Sequence, residues 1–186
     1  MKHRRRLRRP YDEVSKHGAL TMTTFRRLSL GIGLAALTGT SCPAQVVRTG
    51  APTAAIAATV EVPAGADTIY LSGQLPPVID PKAAPGTPAA FGDTTTQAVN
   101  TFKKIKDLLA EKKLGLGDIV MMRIYMVGDP AKGGRMDFEG MMAGYRQFFG
   151  TPEQPNKPAR STVQVAALAA PGAAMEIEVE AVRPKP

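Results

Sequence analysis

The chain has 186 residues, enough for one ordinary domain, and a formal net charge of +8. Residues 1–44 carry nine Lys or Arg against Asp12 and Glu13, a net +7, which leaves 15 basic against 14 acidic side chains, a net +1, for the rest; the basic excess is therefore no sign of a nucleic-acid surface on the remainder. His3, His17 and Cys42 are the only histidines and cysteine, so residues 45–186 offer no Ser-His-Asp or Cys-His nucleophile system and no disulfide, and they argue against a zinc site.

Thr23 to Thr40 reads as a secretory signal. Arg26 and Arg27 form its charged region and Leu28 to Leu37 its short apolar region, too short for a convincing membrane span. Cys42 and Ala44 supply the small residues of a cleavage site, so processing is expected after Ala44 and the mature chain is expected in the periplasm or secreted. Phe25-Arg-Arg-Leu-Ser-Leu30 loosely resembles a twin-arginine signal. Cys42 as a lipoprotein cysteine is disfavoured, because Gly39-Thr-Ser41 lacks the large apolar residue expected before it. Met22 is an alternative start.

Residues 45–53 read as a linker and residues 54–186 as the domain. Ala55 to Val62 is apolar enough for a first strand, and Thr68 to Gln74 follows a Gly-Ala-Asp turn as a second. Residues 75–92, rich in Pro and Gly, must be a loop. A helix follows. Thr94 and Gln97 have capping-box spacing with Asp93 as an alternative cap, and Ala98, Phe102, Ile105, Leu108 and Leu109 share one face; Gly115 and Gly117 end it. Ile119 to Val127 is a buried strand interrupted only by Arg123. A second helix starts near Asp137 with the stripe Phe138, Met141, Met142, Tyr145, Phe148 and Phe149. Ser161 to Leu168 alternates partially. Met175 to Val182 alternates strictly, with Glu176, Glu178 and Glu180 opposite Met175, Ile177, Val179 and Ala181. The order β-β-α-β-α-β-β predicts an α+β fold, one sheet backed by two helices. The second face of that sheet needs covering, which an oligomer would provide.

Six segments in this order carry a resemblance: Ile69-Tyr-Leu-Ser-Gly-Gln-Leu-Pro76, Gln97-Ala-Val-Asn100, Gly117-Asp-Ile-Val120, Tyr145-Arg-Gln-Phe-Phe149, Pro158-Ala-Arg-Ser-Thr-Val163 and Met175-Glu-Ile-Glu178. Over residues 52–183 the chain resembles the RidA family, also called YjgF and formerly endoribonuclease L-PSP. The resemblance implies a chorismate-mutase-like fold and a homotrimer with a central barrel and clefts between subunits. It also implies hydrolysis, without cofactor or metal, of enamines and imines such as 2-aminoacrylate to 2-keto acids and ammonia.

Carried residue by residue, the resemblance makes Arg160 the anchor of the substrate carboxylate. A guanidinium fork suits that role because it grips both oxygens. Glu176 would position water and move the proton, although Glu176, Glu178 and Glu180 also read as one solvated strand face. Ser72 and Gly73 would line the cleft, and the Thr162 backbone amide would assist carboxylate binding. Two positions depart from the family. Ala54 to Val60 contains no aromatic residue where members carry a tyrosine, and Met142 stands where many carry an asparagine; both changes suggest a roomier or more apolar pocket. The alternatives are a non-catalytic trimer that binds small carboxylates and a ribonuclease. The latter is disfavoured by a near-neutral mature chain without histidine.

Overall fold

The computed structural model describes residues 45–185, so the leader, its apolar region and its cleavage point lie outside the described residues. Two short strands come first, β1 (Val47–Thr49) and β2 (Thr59–Glu61), paired antiparallel as a separate ribbon. The expected linker thus contains β1, and the expected first strand shrinks to its last residues. The alanines of Ala54 to Ala58 pack poorly as a strand; the segment turns instead, with Ala54 N–H donating to the Ala51 carbonyl. The ribbon is fastened by its own polar groups, Thr49 and Thr59 sharing a hydroxyl hydrogen bond of 2.6 Å. Arg48 donates to the carbonyls of Gly117 and Ile119.

The main sheet comprises β3 (Asp67–Gln74), β4 (Ile119–Met126), β5 (Ala159–Gln164) and β6 (Met175–Arg183), in the order β3-β6-β4-β5. Strand β6 is antiparallel to both neighbours, and β4 runs parallel to β5. The parallel pair needs a crossover, and the chain supplies it with the second of two helices, α1 (Thr94–Glu111) and α2 (Phe138–Tyr145). Both helices pack on one face of the sheet. Ala98, Phe102, Ile105 and Leu109 from α1 meet Met122, Ile124 and Met126 from β4 and Met175, Ile177, Val179 and Ala181 from β6 in one core. Phe102 has ring contacts with Tyr145, Phe148 and Phe149 at 5.5–6.0 Å between centroids.

Three further expectations shift. The cap of α1 is Asp93, whose carboxylate accepts from Thr96 N–H at 2.7 Å. Gln97 is instead buried beneath it, donating to the Gly92 carbonyl and accepting from Ala174 N–H. Helix α2 stops at Tyr145, leaving Phe148 and Phe149 on the following turn, and Phe138 is exposed rather than in the core. Strand β5 spans Ala159–Gln164 rather than 161–168, because β4, its only partner among the described residues, ends at Met126. No helix among the described residues is long and apolar enough to cross a membrane.

Candidate functional site

The register of the sheet sorts the candidate residues into two groups. Arg160 lies opposite Met122 and Thr162 opposite Ile124, so both point to the helix-covered face, at the β5 edge. Glu176 lies opposite Tyr125 and alternates with buried Met175 and Ile177, so it points to the other face. Ser72 and Gly73 sit on β3, the opposite edge. Strands β5 and β6 are separated by β4, which puts their axes roughly 10 Å apart at the usual strand spacing. One subunit therefore does not bring Arg160 to Glu176.

The β5 group is built around a half-buried cation. The Arg160 guanidinium carbon lies 4.4 Å from the centre of the Tyr145 ring, on which Phe149 stacks at 4.7 Å. Aromatic faces attract cations, so this ring helps to hold the guanidinium. Arg160 Nη2 donates to the Met142 sulfur at 3.2 Å. Among the described residues its Nη1 is buried with no hydrogen-bond partner, and so is the Thr162 hydroxyl two residues along the same strand face. Burial lowers the pKa of Arg160, Tyr145 opposes that shift and Arg146 adds to it. The tyrosine hydroxyl is pushed up to about 12, chiefly by burial, and Arg160 works against the rise. Tyr145 thus stays neutral and donates to the Ala55 carbonyl at 3.0 Å, which seats the segment after β1 beside the arginine. A half-buried cation with an idle donor, on the same strand face as an idle hydroxyl, is an arrangement that a carboxylate would satisfy.

The β3/β6 group is built around a missing side chain. Between Leu71, opposite Val179, and Gln74, opposite Ile177, two residues of β3 face one of β6, a β-bulge at Ser72-Gly73. The bulge brings Gly73 against Glu176, and a Cβ there would collide with the Glu176 carboxylate. Glycine is needed at 73 for this close approach rather than for an unusual backbone angle. Ser72 is exposed, and its carbonyl accepts from the Gln74 side chain.

The residues expected at the site therefore fall into two groups, Arg160 and Thr162 on the helix-covered face at β5, and Glu176 with Ser72 and Gly73 across β6 and β3. Tyr145 is the site residue that sequence reasoning missed, since its place in an apolar stripe explained it as core. A cavity of about 310 Å³ between the loop 86–94, the end of β4 and residues 172–174 contains none of these side chains.

An α+β chain with both helices on one face of the sheet, an arginine site on one edge and a glycine–glutamate pair towards the other, defines a narrow class. The profile of the family described as endoribonuclease L-PSP matches residues 49–183, and the chain belongs to that family, the RidA/YjgF family. A RutC family protein of Haemophilus influenzae is 30% identical over 139 residues, 75% of this chain and 97% of that protein. The YjgF gene product of E. coli is 32% identical, with a TM-score of 0.47 over 66% of this chain and 84% of that one. The Rid family protein YyfB of Yersinia pestis shares the fold at a TM-score of 0.52, with 23% identity over 69% of this chain and 87% of that one.

Proposed function

We propose that the protein is a hydrolytic deaminase of 2-imino acids and their enamine tautomers, assembled so that each site uses two copies. The observation that carries the reading is the half-satisfied guanidinium of Arg160, its Nη1 buried, on the same strand face as the unpartnered Thr162 hydroxyl. A 2-imino acid presents a carboxylate to that pair. Its reacting carbon then stands next to the carboxylate, facing outward from the β5 edge. The Gly73–Glu176 half of a second copy is the complementary piece, because neither half is complete within one chain.

In this reading water adds to the C=N carbon while the nitrogen takes up a proton. The resulting carbinolamine expels ammonia and leaves the 2-keto acid, so one water is consumed for each ammonia released. Glu176 orients the water and carries the proton between oxygen and nitrogen. Arg160 holds the carboxylate and does no proton transfer. The assembly that the resemblance implies is a homotrimer. The leader pattern of Arg26, Arg27 and the apolar run to Leu37 supports action outside the cytoplasm, where the imino acid would have to come from an oxidase of amino acids. A non-catalytic carboxylate binder is the second reading, favoured by Ala54 to Val60, which brings no aromatic residue where members carry a tyrosine.

The test is ammonia release from imino acids generated in situ. Wild type should accelerate hydrolysis over buffer, and Arg160→Ala should lower kcat/KM by about 10²-fold or more, the size expected for loss of a charged substrate anchor. Binding of 2-keto acids without any turnover would establish the second reading. Equal rates for wild type and Arg160→Ala would remove Arg160 from the site.

A further inference from the structure

We propose that Met142 is a displaceable cover on the carboxylate site: its thioether holds the Arg160 edge in the free protein and yields it to the incoming carboxylate. The inference rests on the reading of Arg160 as a carboxylate anchor and adds a positioning residue that sets the affinity of that anchor.

The geometry carries it. Met142 reaches Arg160 from α2, across 18 positions of sequence, and its sulfur accepts from Nη2 at 3.2 Å. It is buried, at 2% exposure, and the neighbouring Nη1 is shielded as well. A carboxylate gripping both nitrogens of the fork therefore has to take the place that Met142 and its surroundings occupy. The other contact of the guanidinium is the Tyr145 ring, 4.4 Å from its carbon, an attraction to charge that leaves the N–H groups of the fork to other acceptors.

A methionine fits such a cover on three physical grounds. Thioether sulfur is a weak acceptor, so it partly compensates the buried charge and gives way to a carboxylate at little cost. Three rotatable side-chain bonds let it withdraw without moving the helix. Its apolar body excludes water from the guanidinium, which strengthens the attraction for an anion once the sulfur has moved. An amide at this position, as the resemblance would place there, offers a stronger acceptor that would compete harder for the same N–H groups. The substitution thus tunes the site towards carboxylates that bring few polar groups of their own.

The experiment measures binding of 2-oxobutanoate to the purified protein by titration calorimetry, with thermal unfolding as a check on folding. Two variants of similar volume separate acceptor strength from packing. Met142→Leu removes the acceptor and should tighten Kd by about 3- to 10-fold; Met142→Gln supplies a stronger acceptor and should loosen it by about the same factor. Arg160→Ala should abolish binding. Opposite shifts for Leu and Gln support the cover. Shifts in the same direction, or none, overturn it while leaving Arg160 as the anchor. If Arg160→Ala binds as wild type does, or wild type does not bind, the anchor reading fails and the cover with it.

Discussion

The two faces of the four-stranded sheet are built on opposite rules. The helix-covered face is nearly dry: Met122, Ile124, Met126, Met175, Ile177 and Val179 are buried under α1 and α2. The other face carries Arg123, Tyr125, Glu176, Glu178 and Glu180, and its neighbours Tyr70 and Val163 are 73% and 46% exposed. Arg160 is the exception, a cation on the helix side. Its partial burial is tolerable because an aromatic face and a sulfur receive it at the rim, where β5 has no further strand among the described residues. The covered face supplies stability. In the proposed function its polar corner anchors the substrate carboxylate, and the bare face offers Glu176 and the surface over which copies would close. Substitutions on the two faces should therefore separate folding from function.

The largest effect is expected in the covered core. Phe102 is fully buried among three aromatic rings. Phe102→Ala should lose about 3–5 kcal/mol of unfolding free energy, read by urea denaturation, since both transfer and cavity costs apply. A loss below about 1 kcal/mol would mean that the aromatic cluster is not the centre of the fold. On the bare face the corresponding large effect should be on rate alone. Glu176→Gln should reduce kcat by about 10²- to 10⁴-fold with KM and unfolding little changed. Gly73→Ala should do the same indirectly by pushing the carboxylate aside. If Glu176→Gln keeps full activity, Glu176 belongs with Glu178 and Glu180 as a solvated charge.

How far the sequence alone discloses these faces depends on the range of the signal. Helix α1 and strand β6 are legible because their burial follows a period of 3.6 or 2 within the element itself; Phe102, Ile105 and Leu109, or Met175, Ile177 and Val179, need no knowledge of their partners. Strand β1 is not legible, since Val47-Arg-Thr49 is three residues long and is defined by its pairing with Thr59–Glu61. Arg160 and Glu176 are legible only through resemblance, because periodicity makes one a surface arginine and the other a member of an acidic row. The contact of Met142 with Arg160 and the collision point at Gly73 are hidden altogether. They depend on which strand lies beside which, and on one bulge.

A smaller effect should come from the start of α1. The Asp93 carboxylate caps Thr96 N–H, and its pKa is lowered chiefly by that hydrogen bond. Asp93→Ala should cost about 1 kcal/mol, the usual value of a lost cap. A carboxylate with a lowered folded-state pKa stabilises fully above its ordinary value of 3.8 and loses that contribution as pH falls through the folded value. The gap between wild type and Asp93→Ala should thus be constant at neutral pH and close below about pH 4. A gap that persists at pH 2 would show that the side chain acts by packing rather than by charge.

The smallest effect on a lone copy is expected on the bare face itself, and its growth on assembly tests what that face is for. Arg123 pairs with Glu180 at 2.8 Å and sits 4.0 Å from Glu178, which also accepts from the Tyr125 hydroxyl. With the ion pair at the surface of a single subunit, Arg123→Ala should change unfolding by less than about 1 kcal/mol, and added salt should shrink even that. If copies close over this face, the same substitution leaves Glu178 and Glu180 facing each other in a drier setting, and removing one partner of a buried pair costs about 3–5 kcal/mol. Unfolding of Arg123→Ala and wild type should therefore be compared across protein concentration. The difference should stay under about 1 kcal/mol at dilutions where the copies separate and grow as they assemble. A difference that is small at every concentration would show that the face stays wet, and the Glu176 half would then have no second copy against which to complete the site.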